Sequence, residues 1–261
     1  MRGELHLAGT ASSHGFRVTA RDKEIVHWIG RLRMVTAAQV GERFGLGRAV
    51  SYARLGGMVR LGLLDHARIF HGQPGVFLAT RSGLSIAELE LPPARVDIRT
   101  YGHDLELSSV VIELEREFGP ERVRTEREMR AADTDLGPPA TKRLRFAVAL
   151  SGARGQLQLT PAGHPRLHFP DCAVVGASGE AADGVLAVEL ERTAKGRARL
   201  RRILAAYVGA RHIAAVRYYA TDERVRCLVG SEVAAQRADP LIDVRVWSIP
   251  HNGRRRVDVS A

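Results

Sequence analysis

The sequence predicts an α+β protein in which an N-terminal winged helix-turn-helix domain precedes a mixed α/β domain. Two patterns indicate this order. After residue 18, three stretches with apolar residues at helical spacing are followed by two strand-like stretches that flank the turn sequence HGQPG. From residue 101 onward, helical and strand patterns alternate as they do where helices pack on a sheet. The predicted boundaries are a flexible N-terminus at 1–18, the winged helix at 19–90, a linker at 91–100, the α/β domain at 101–250 and a basic tail at 251–261.

Threonines mark the starts of the first two helices of the winged helix. Thr19 precedes a stretch that has Ile25 and Ile29 on one face, and Thr36 precedes a shorter stretch that Gly45 ends. A threonine at the N-cap accepts a hydrogen bond from a backbone N–H that the first turn would otherwise leave unpaired. Both helices are therefore predicted from their caps as well as from their periodicity.

The third helix, predicted over residues 48–61, is the candidate DNA-reading element. In a winged helix this element fits the major groove of B-DNA, and the following hairpin lies along the backbone or the minor groove. Arginine can bond a guanine edge at two points, while serine and tyrosine can reach phosphates. The inner face is predicted to hold Val50, Leu55, Met58 and Val59. The predicted outward residues are Arg48, Ser51, Tyr52 and Arg54, and those on or near the wing are Arg68, His71 and Gln73.

Two adjacent glycines, Gly56 and Gly57, lie inside this predicted helix. Each glycine in a helix interior costs about 1 kcal/mol relative to alanine. Two explanations are open at this point. Either the helix is kinked at the glycines, or another element of the chain packs so closely against them that a side chain has no room.

Charge is distributed in three blocks along the chain. The formal net charge of +10 and a pI near 10.5 are compatible with a polyanionic partner. Residues 1–82 carry 12 Lys/Arg against 5 Asp/Glu, residues 83–191 carry 12 against 18, and residues 192–261 carry 15 against 6. Two basic ends therefore flank an acidic middle, which suits nucleic acid held near a metal ion. The alternative is that the many arginines reflect a GC-rich genome.

The chain shows no apolar run near the ~20 residues needed to cross a bilayer, and its first 15 residues lack an apolar segment of the signal-peptide type. We therefore expect a soluble, cytoplasmic protein. Cys172 and Cys227 are too few for a disulfide framework and lie in apolar stretches. This pattern predicts two buried free thiols.

Three carboxylates of the acidic middle are the candidate catalytic and metal-binding residues. Asp171 precedes one predicted strand, and Glu189 and Glu191 lie two apart on the next, so both glutamates point to the same side. If Asp171 joins them, the oxygens can bind Mg²⁺ or Mn²⁺, which would polarise a phosphate and lower the pKa of an attacking water. Lys195, four residues after Glu191, can assist from the following helix. The alternative is that these are ordinary charges at a strand edge.

The order helix, strand, Pro170-Asp171, strand, Glu189-Leu190-Glu191, helix is similar to the PD-(D/E)XK nuclease-like fold. Together with the winged helix, the segment His103-Asp104-Leu105 and the later pattern F-P-D…V-E-L-E-R-T-x-K…R-x-I-L-x-x-Y, it resembles the plasmid replication-relaxation family over residues 20–220. The resemblance implies a DNA-associated protein of plasmids, phages or conjugative elements. It does not by itself imply nuclease activity.

The chain departs from the nuclease pattern where the segment E-x-K would end in lysine, because Glu191 stands there. In a site that cuts DNA, Lys195 is the candidate substitute. The acidic helix residue that completes such sites corresponds to Glu106 or Glu113. His103 matches the histidine that opens the family's helix, where it serves as a helix cap or as a site residue.

We predict a double-stranded DNA-binding protein that acts in replication, relaxation or transcriptional control through its winged helix, as a homodimer. Its degenerate nuclease-like domain would serve assembly or further DNA contact, and DNA binding would need no cofactor. The alternative is a metal-dependent DNA endonuclease that uses Asp171, Glu189 and Glu191 with Mg²⁺ or Mn²⁺. A third interpretation is that the winged helix binds another protein, such as a relaxase or a replication protein.

Overall fold

The computed structural model describes residues 16–134, 144–152, 156–176, 184–193 and 196–248. Most of the predicted flexible N-terminus, the basic tail and Lys195 lie outside these ranges. Within them the chain combines helices with mixed and antiparallel sheets, which confirms the α+β class. No helix in the same ranges has the length and apolar composition needed to cross a bilayer.

The N-terminal part combines helices with a small antiparallel sheet. Its first three helices are α1 (Ala20–Arg31), α2 (Ala37–Phe44) and α3 (Arg48–Arg60). Its strands are β1 (Val35–Thr36), β2 (Leu64–Ala67) and β3 (Val76–Ala79), which pair in the order β1-β3-β2. A further short helix, α4 (Arg81–Ile86), follows β3 directly.

The predicted threonine caps begin α1 and α2. The Thr19 side chain accepts a hydrogen bond from the Asp22 N–H, and the Asp22 carboxylate accepts one from the Thr19 N–H. Thr36 and Gln39 form the same reciprocal pair at the start of α2. Gly45 ends α2 with φ of 62°, in the left-handed region that favours glycine.

One continuous helix, α3, contains both glycines. A Cβ at Gly57 would lie 2.5 Å from the ring of Phe16, which packs on α3 from the segment before α1. Close packing, and not a kink, therefore accounts for glycine at position 57.

The inward and outward faces of α3 differ from the prediction at two positions. Ser51 is fully buried and its hydroxyl lies 3.1 Å from the Gly47 carbonyl oxygen, whereas Val50 is 47% exposed. An outward Ser51 and an inward Val50 were wrong expectations because helical spacing aligns Ser51, not Val50, with the buried Leu55.

A five-stranded mixed sheet forms the centre of the second part. Its helices are α5 (Tyr101–Phe118), α6 (Glu126–Thr134), α7 (Arg197–Val208) and α8 (Glu223–Ala235). Its strands are β4 (Val123–Thr125), β7 (Cys172–Val175), β8 (Val185–Glu191), β9 (Ile213–Ala220) and β10 (Ile242–Val246), while β5 (Val148–Ala149) and β6 (Leu167–His168) form a separate pair. The sheet order is β10-β9-β8-β7-β4, with antiparallel pairing from β4 to β8 and parallel pairing from β8 to β10.

Several elements of this part are short. Strand β4 occupies only three residues, and α6 begins directly after it. Residues 150–152 and 156–158 pair antiparallel through the bridge Ser151–Leu157 and two backbone hydrogen bonds, while β5 pairs with β6. Helix α8 was not predicted, and Cys227 on it is exposed, whereas Cys172 is buried as expected.

The two faces of the large sheet pack against different helices. One face, which includes Val188 and Leu190, forms a single core with α5 and with the N-terminal helices. The other face, which includes Ala187 and Val216, packs on α7 and α8. Residues predicted as a linker form no helix or strand, yet Val96 packs with the core cluster around Met34. The two parts therefore share one hydrophobic core.

Candidate functional site

The outer face of α3 presents a cation beside an aromatic ring. Arg48 and Tyr52 lie one turn apart and both are exposed, with the guanidinium carbon 5.9 Å from the ring centroid. Ala49 and Ala53, on the same exposed side, are small enough to let a partner approach the helix backbone. This face offers a partner the hydrogen-bond donors of the Arg48 guanidinium and the Tyr52 hydroxyl, with the small alanine side chains beside them.

The connection between β2 and β3 lies next to α5. Arg68, His71 and Gln73 are exposed in this connection, as predicted. The Phe70 ring meets the Tyr101 ring edge to face, with 5.0 Å between the centroids. Because Tyr101 opens α5, the hairpin tip is fixed relative to that helix.

Arg54 lies on the side of α3 that faces α1. Its Nη1 atom is 2.8 Å from Oδ1 of Asp22, and Asp22 is fully buried. Burial acts to raise the pKa of Asp22, but hydrogen bonds with Thr19 and with Arg54 outweigh it and lower the pKa. An outward-facing Arg54 was a wrong expectation, because its guanidinium neutralises the carboxylate that caps α1.

A cleft separates the start of α3 from α5. Arg48 and Tyr52 line it on one side and Leu105 and Glu106 on the other, Pro74 of the hairpin also contributes to the lining, and its volume is about 750 Å³. The exposed face of α3 is therefore continuous with the first turns of α5, which lead toward the carboxylates.

The two glutamates lie on β8, which is the central strand of the large sheet. Every residue of β8 is buried, and Glu189 and Glu191 are exposed by only 1% and 4%. The strand-edge explanation is therefore wrong for them. A buried carboxylate is costly unless other groups hold it, so these side chains need specific partners.

Glu189 is held by two residues that the sequence did not identify as site residues. Its Oε1 accepts a hydrogen bond from the Tyr207 hydroxyl and lies 2.6 Å from Nε2 of His168. Burial, with the nearby Glu189 charge, raises the pKa of Tyr207 well above its ordinary value, so the phenol keeps its proton and donates it. The one sequence signal for the role of Tyr207 is its place in the pattern R-x-I-L-x-x-Y.

Asp171 lies beside the first turn of α5. Its Oδ2 accepts a hydrogen bond from the Leu190 N–H at 2.7 Å and lies 3.3 Å from Nε2 of His103. Burial acts to lower the pKa of His103, but Asp104 and Asp171 outweigh it and raise the pKa to about 10. His103 is thus an imidazolium at neutral pH that bridges two carboxylates.

All three predicted carboxylates act electrostatically on one buried hydroxyl group. The pKa of Tyr218 is raised well above its ordinary value by burial and then by Glu189, Glu191 and Asp171. These charges are therefore close enough to act on a single phenol at the same end of the sheet.

Of the two acids considered on α5, Glu106 is the one near this end. Its Oε2 lies 3.0 Å from Nε of Arg192, the residue that follows β8. Glu113 instead faces solvent and pairs with Arg116 at 3.5 Å.

The carboxylates are engaged with protein partners. Oδ2 of Asp171 and Oε1 of Glu189 both have hydrogen-bonding neighbours. Within the ranges that the structure covers, no three or more His, Cys, Asp and Glu side chains are arranged to hold a metal ion.

No protein-family model matches this chain, and no curated protein sequence matches it either. Among solved structures, a mutant of ZitR from Lactococcus lactis in complex with DNA aligns with 51% of this chain and 81% of its own. The identity is 16% and the TM-score is 0.26. Similarity at that level does not indicate a shared fold, so function rests on the residues themselves.

Proposed function

We propose that the N-terminal part is a winged helix that binds double-stranded DNA. The observation that carries the proposal is the exposed Arg48–Tyr52 face of α3 beside an exposed hairpin. The element order α1-β1-α2-α3-β2-β3, with β1 paired to β3, supports it because a winged helix has this order. The protein would act in replication, relaxation or transcriptional control of a plasmid, phage or conjugative element, as a homodimer.

The second part, in this proposal, is a degenerate nuclease-like domain that serves assembly or further DNA contact. Support comes from its order: helix α5, antiparallel strands β4, β7 and β8, helix α7 and the parallel strand β9. Degeneracy is supported by glutamate at position 191, where the nuclease pattern has lysine, and by the engaged oxygens of Asp171 and Glu189.

The DNA-binding proposal is tested with Arg48→Ala on duplexes selected from a randomised pool by the wild-type protein. If Arg48 reads a base, its loss weakens binding by about 1–3 kcal/mol, which is a roughly 5- to 150-fold rise in Kd. Arg245→Ala is the matched control, since Arg245 is an exposed arginine that pairs with Asp243 on β10. Equal binding by Arg48→Ala and wild type at matched salt contradicts the role of Arg48. If the wild type shows no salt-dependent DNA affinity at all, the winged helix binds a protein instead.

The second candidate function is a metal-dependent DNA endonuclease. It is favoured by the placement of Asp171 beside β8, where its Oδ2 accepts from the Leu190 N–H between Glu189 and Glu191. Supercoiled plasmid incubated with Mg²⁺ or Mn²⁺ distinguishes the two functions. Cleavage that is lost in Asp171→Ala but kept in Asp243→Ala would establish the enzyme. Plasmid that stays intact at high protein concentration would exclude it.

A further inference from the structure

A strongly basic surface begins directly after β8. Residues 192–202 contain six Lys/Arg and no Asp/Glu. The four arginines of α7 lie in its first two turns, and the helix has no acidic residue. All four side chains are exposed: Arg197, Arg199, Arg201 and Arg202.

A buried carboxylate of α8 holds two of these arginines. Glu232 is 1% exposed, and its oxygens lie 3.1 Å from Nη1 of Arg197 and 2.6 Å from Nε of Arg201. One glutamate thus fixes two guanidinium groups on neighbouring turns, so the surface keeps its shape without a ligand.

The other two arginines have no such compensation. Among the residues that the structure describes, no carboxylate oxygen lies within 4.0 Å of Arg199 or Arg202. Positive side chains in the first turns of a helix are unfavourable because the helix dipole is already positive there. An anion bound from outside would remove this repulsion.

The arginine surface starts at the same end of the sheet as the hairpin of the N-terminal part. Phe70 of the hairpin contacts Tyr101, and the next residue, Gly102, is packed against the guanidinium of Arg192. Arg192 follows β8, and α7 begins a few residues later. The hairpin tip therefore contacts the start of α5, and the start of α5 contacts the arginine that follows β8.

We propose that Arg199 and Arg202 on α7 form a second contact for the phosphate backbone of duplex DNA. The proposal rests on the proposed function and assigns the further DNA contact to a surface on the face of the sheet opposite the winged helix. Guanidinium groups suit phosphodiester oxygens because their donors match two oxygens at once. Exposed arginines on a helix with no base-reading neighbour give affinity without sequence preference.

The test measures Kd for a random-sequence duplex as a function of salt, with the full-length chain. Arg199→Gln/Arg202→Gln is expected to reduce the slope of log K against log salt by about 1 for each arginine that contacts a phosphate. Binding near ~0.1 M salt would weaken roughly tenfold or more. The control is Arg116→Gln/Arg245→Gln, which removes the same charge from exposed arginines paired with Glu42 and Asp243. The control is expected to keep the wild-type slope.

Arg48→Ala separates this proposal from the proposed function. Loss of sequence preference in Arg48→Ala, with the salt slope still dependent on Arg199 and Arg202, supports both. If Arg199→Gln/Arg202→Gln weakens binding and Arg48→Ala has no effect, the second contact is supported and the base-reading role of Arg48 is contradicted. An unchanged slope and affinity in Arg199→Gln/Arg202→Gln overturns the second contact. Binding to phosphatidylglycerol vesicles through these arginines, without DNA binding, overturns it as well.

Discussion

Asp22 is a buried carboxylate that joins two helices. It accepts from Thr19 at the start of α1 and from Arg54 of α3, while its own side chain is fully buried. Hydrogen bonds to a charged group contribute about 1.5–3 kcal/mol each, more than neutral ones. The contact therefore fixes the orientation of the candidate DNA-reading helix, α3, relative to α1.

Replacing Asp22 with asparagine is expected to destabilise the protein by about 1–3 kcal/mol at pH 7, because the amide keeps the shape but loses the charge that Arg54 needs. The folded pKa of Asp22 is lowered, so its stabilising effect is complete above the unfolded value of about 4 and is lost as pH falls through the folded value. The difference in the free energy of unfolding between wild type and Asp22→Asn should therefore disappear at acid pH. Urea unfolding at pH 7 and at the lowest pH where the fold persists measures this.

The matched control for Asp22→Asn is Asp65→Asn, since Asp65 is an exposed acid on β2. Its effect should stay within about 0.5 kcal/mol at both pH values. If the difference in unfolding free energy between wild type and Asp22→Asn stays constant with pH, the carboxylate charge does not stabilise the fold.

Side-chain direction on α3 was only partly predictable from its sequence. The spacing of Ser51, Leu55 and Met58 marks the buried face, and with it the exposure of Val50 could have been inferred. The pairing of Arg54 with Asp22 could not, because it depends on how α1 and α3 cross. Exposure of Arg48 and Tyr52 followed from the pattern alone.

Two glycines in different helices provide a direct comparison of helix packing. Gly83 lies in α4, where a Cβ would collide with the Leu63 carbonyl oxygen. Gly230 lies inside α8, and a Cβ there meets no atom within 4 Å. The close approach of the Leu63 backbone therefore requires glycine at position 83. No neighbouring atom of the described residues requires glycine at position 230.

Alanine substitutions at these two positions are expected to have opposite signs. Gly83→Ala should destabilise the protein by about 2 kcal/mol or more, because the backbone of Leu63 must move. Gly230→Ala should stabilise it by about 0.5–1 kcal/mol, since alanine loses less backbone entropy in a helix. Urea unfolding measures both, and a destabilised Gly230→Ala would contradict the open space around that position.

The elements that were predicted carry strong local signals, and those that were missed depend on distant partners or on overlooked spacing. Capping threonines and apolar periodicity located α1 and α2. The two residues of β1 are a strand only because they pair with β3 across the chain. Helix α8 had a usable signal: Asp222 is its N-cap, and Val225, Val229 and Val233 recur every fourth residue on its buried face.

The candidate carboxylate site was predictable in its acids but not in their partners. Alternation on β8 placed Glu189 and Glu191 on one side, and the antiparallel register of β7 and β8 brings Asp171 near them. Tyr207 and His168 reach Glu189 from α7 and from the β5–β6 pair. No sequence pattern states that a small strand pair will fold over the central strand, so those contacts required the structure.

The N-terminal part and the large sheet are joined by a buried ionic network as well as by a shared core. Arg31 at the end of α1 is 6% exposed; its guanidinium lies 2.9 Å from both Glu115 of α5 and Glu128 of α6, and it also donates to the Val123 carbonyl oxygen. Arg43 of α2 pairs with the same Glu115. Four helices from both parts therefore contribute to one cluster of charges.

Because the core and the network span both parts, we expect the molecule to unfold in one cooperative transition. Trp28 reports the N-terminal part and Trp247 the sheet, and both are buried. Single-tryptophan proteins, Trp247→Phe and Trp28→Phe, should therefore give coincident urea transitions by fluorescence. Two separated transitions would show that the winged helix and the sheet are independent domains.

Arg31→Ala should lower the free energy of unfolding by about 3–5 kcal/mol, because it leaves Glu128 without its cation and the buried Glu115 with Arg43 alone. Arg226→Ala is the control, since Arg226 forms its ion pair with the exposed helix neighbour Glu223, and its effect should be within about 0.5 kcal/mol. If Arg31 acts between the two parts and not within one, both tryptophan reporters should shift to lower urea by the same amount. A shift of the Trp28 transition alone would mean that Arg31 stabilises only the N-terminal part, so that the charge cluster does not couple the DNA-reading face to the sheet that holds the carboxylates.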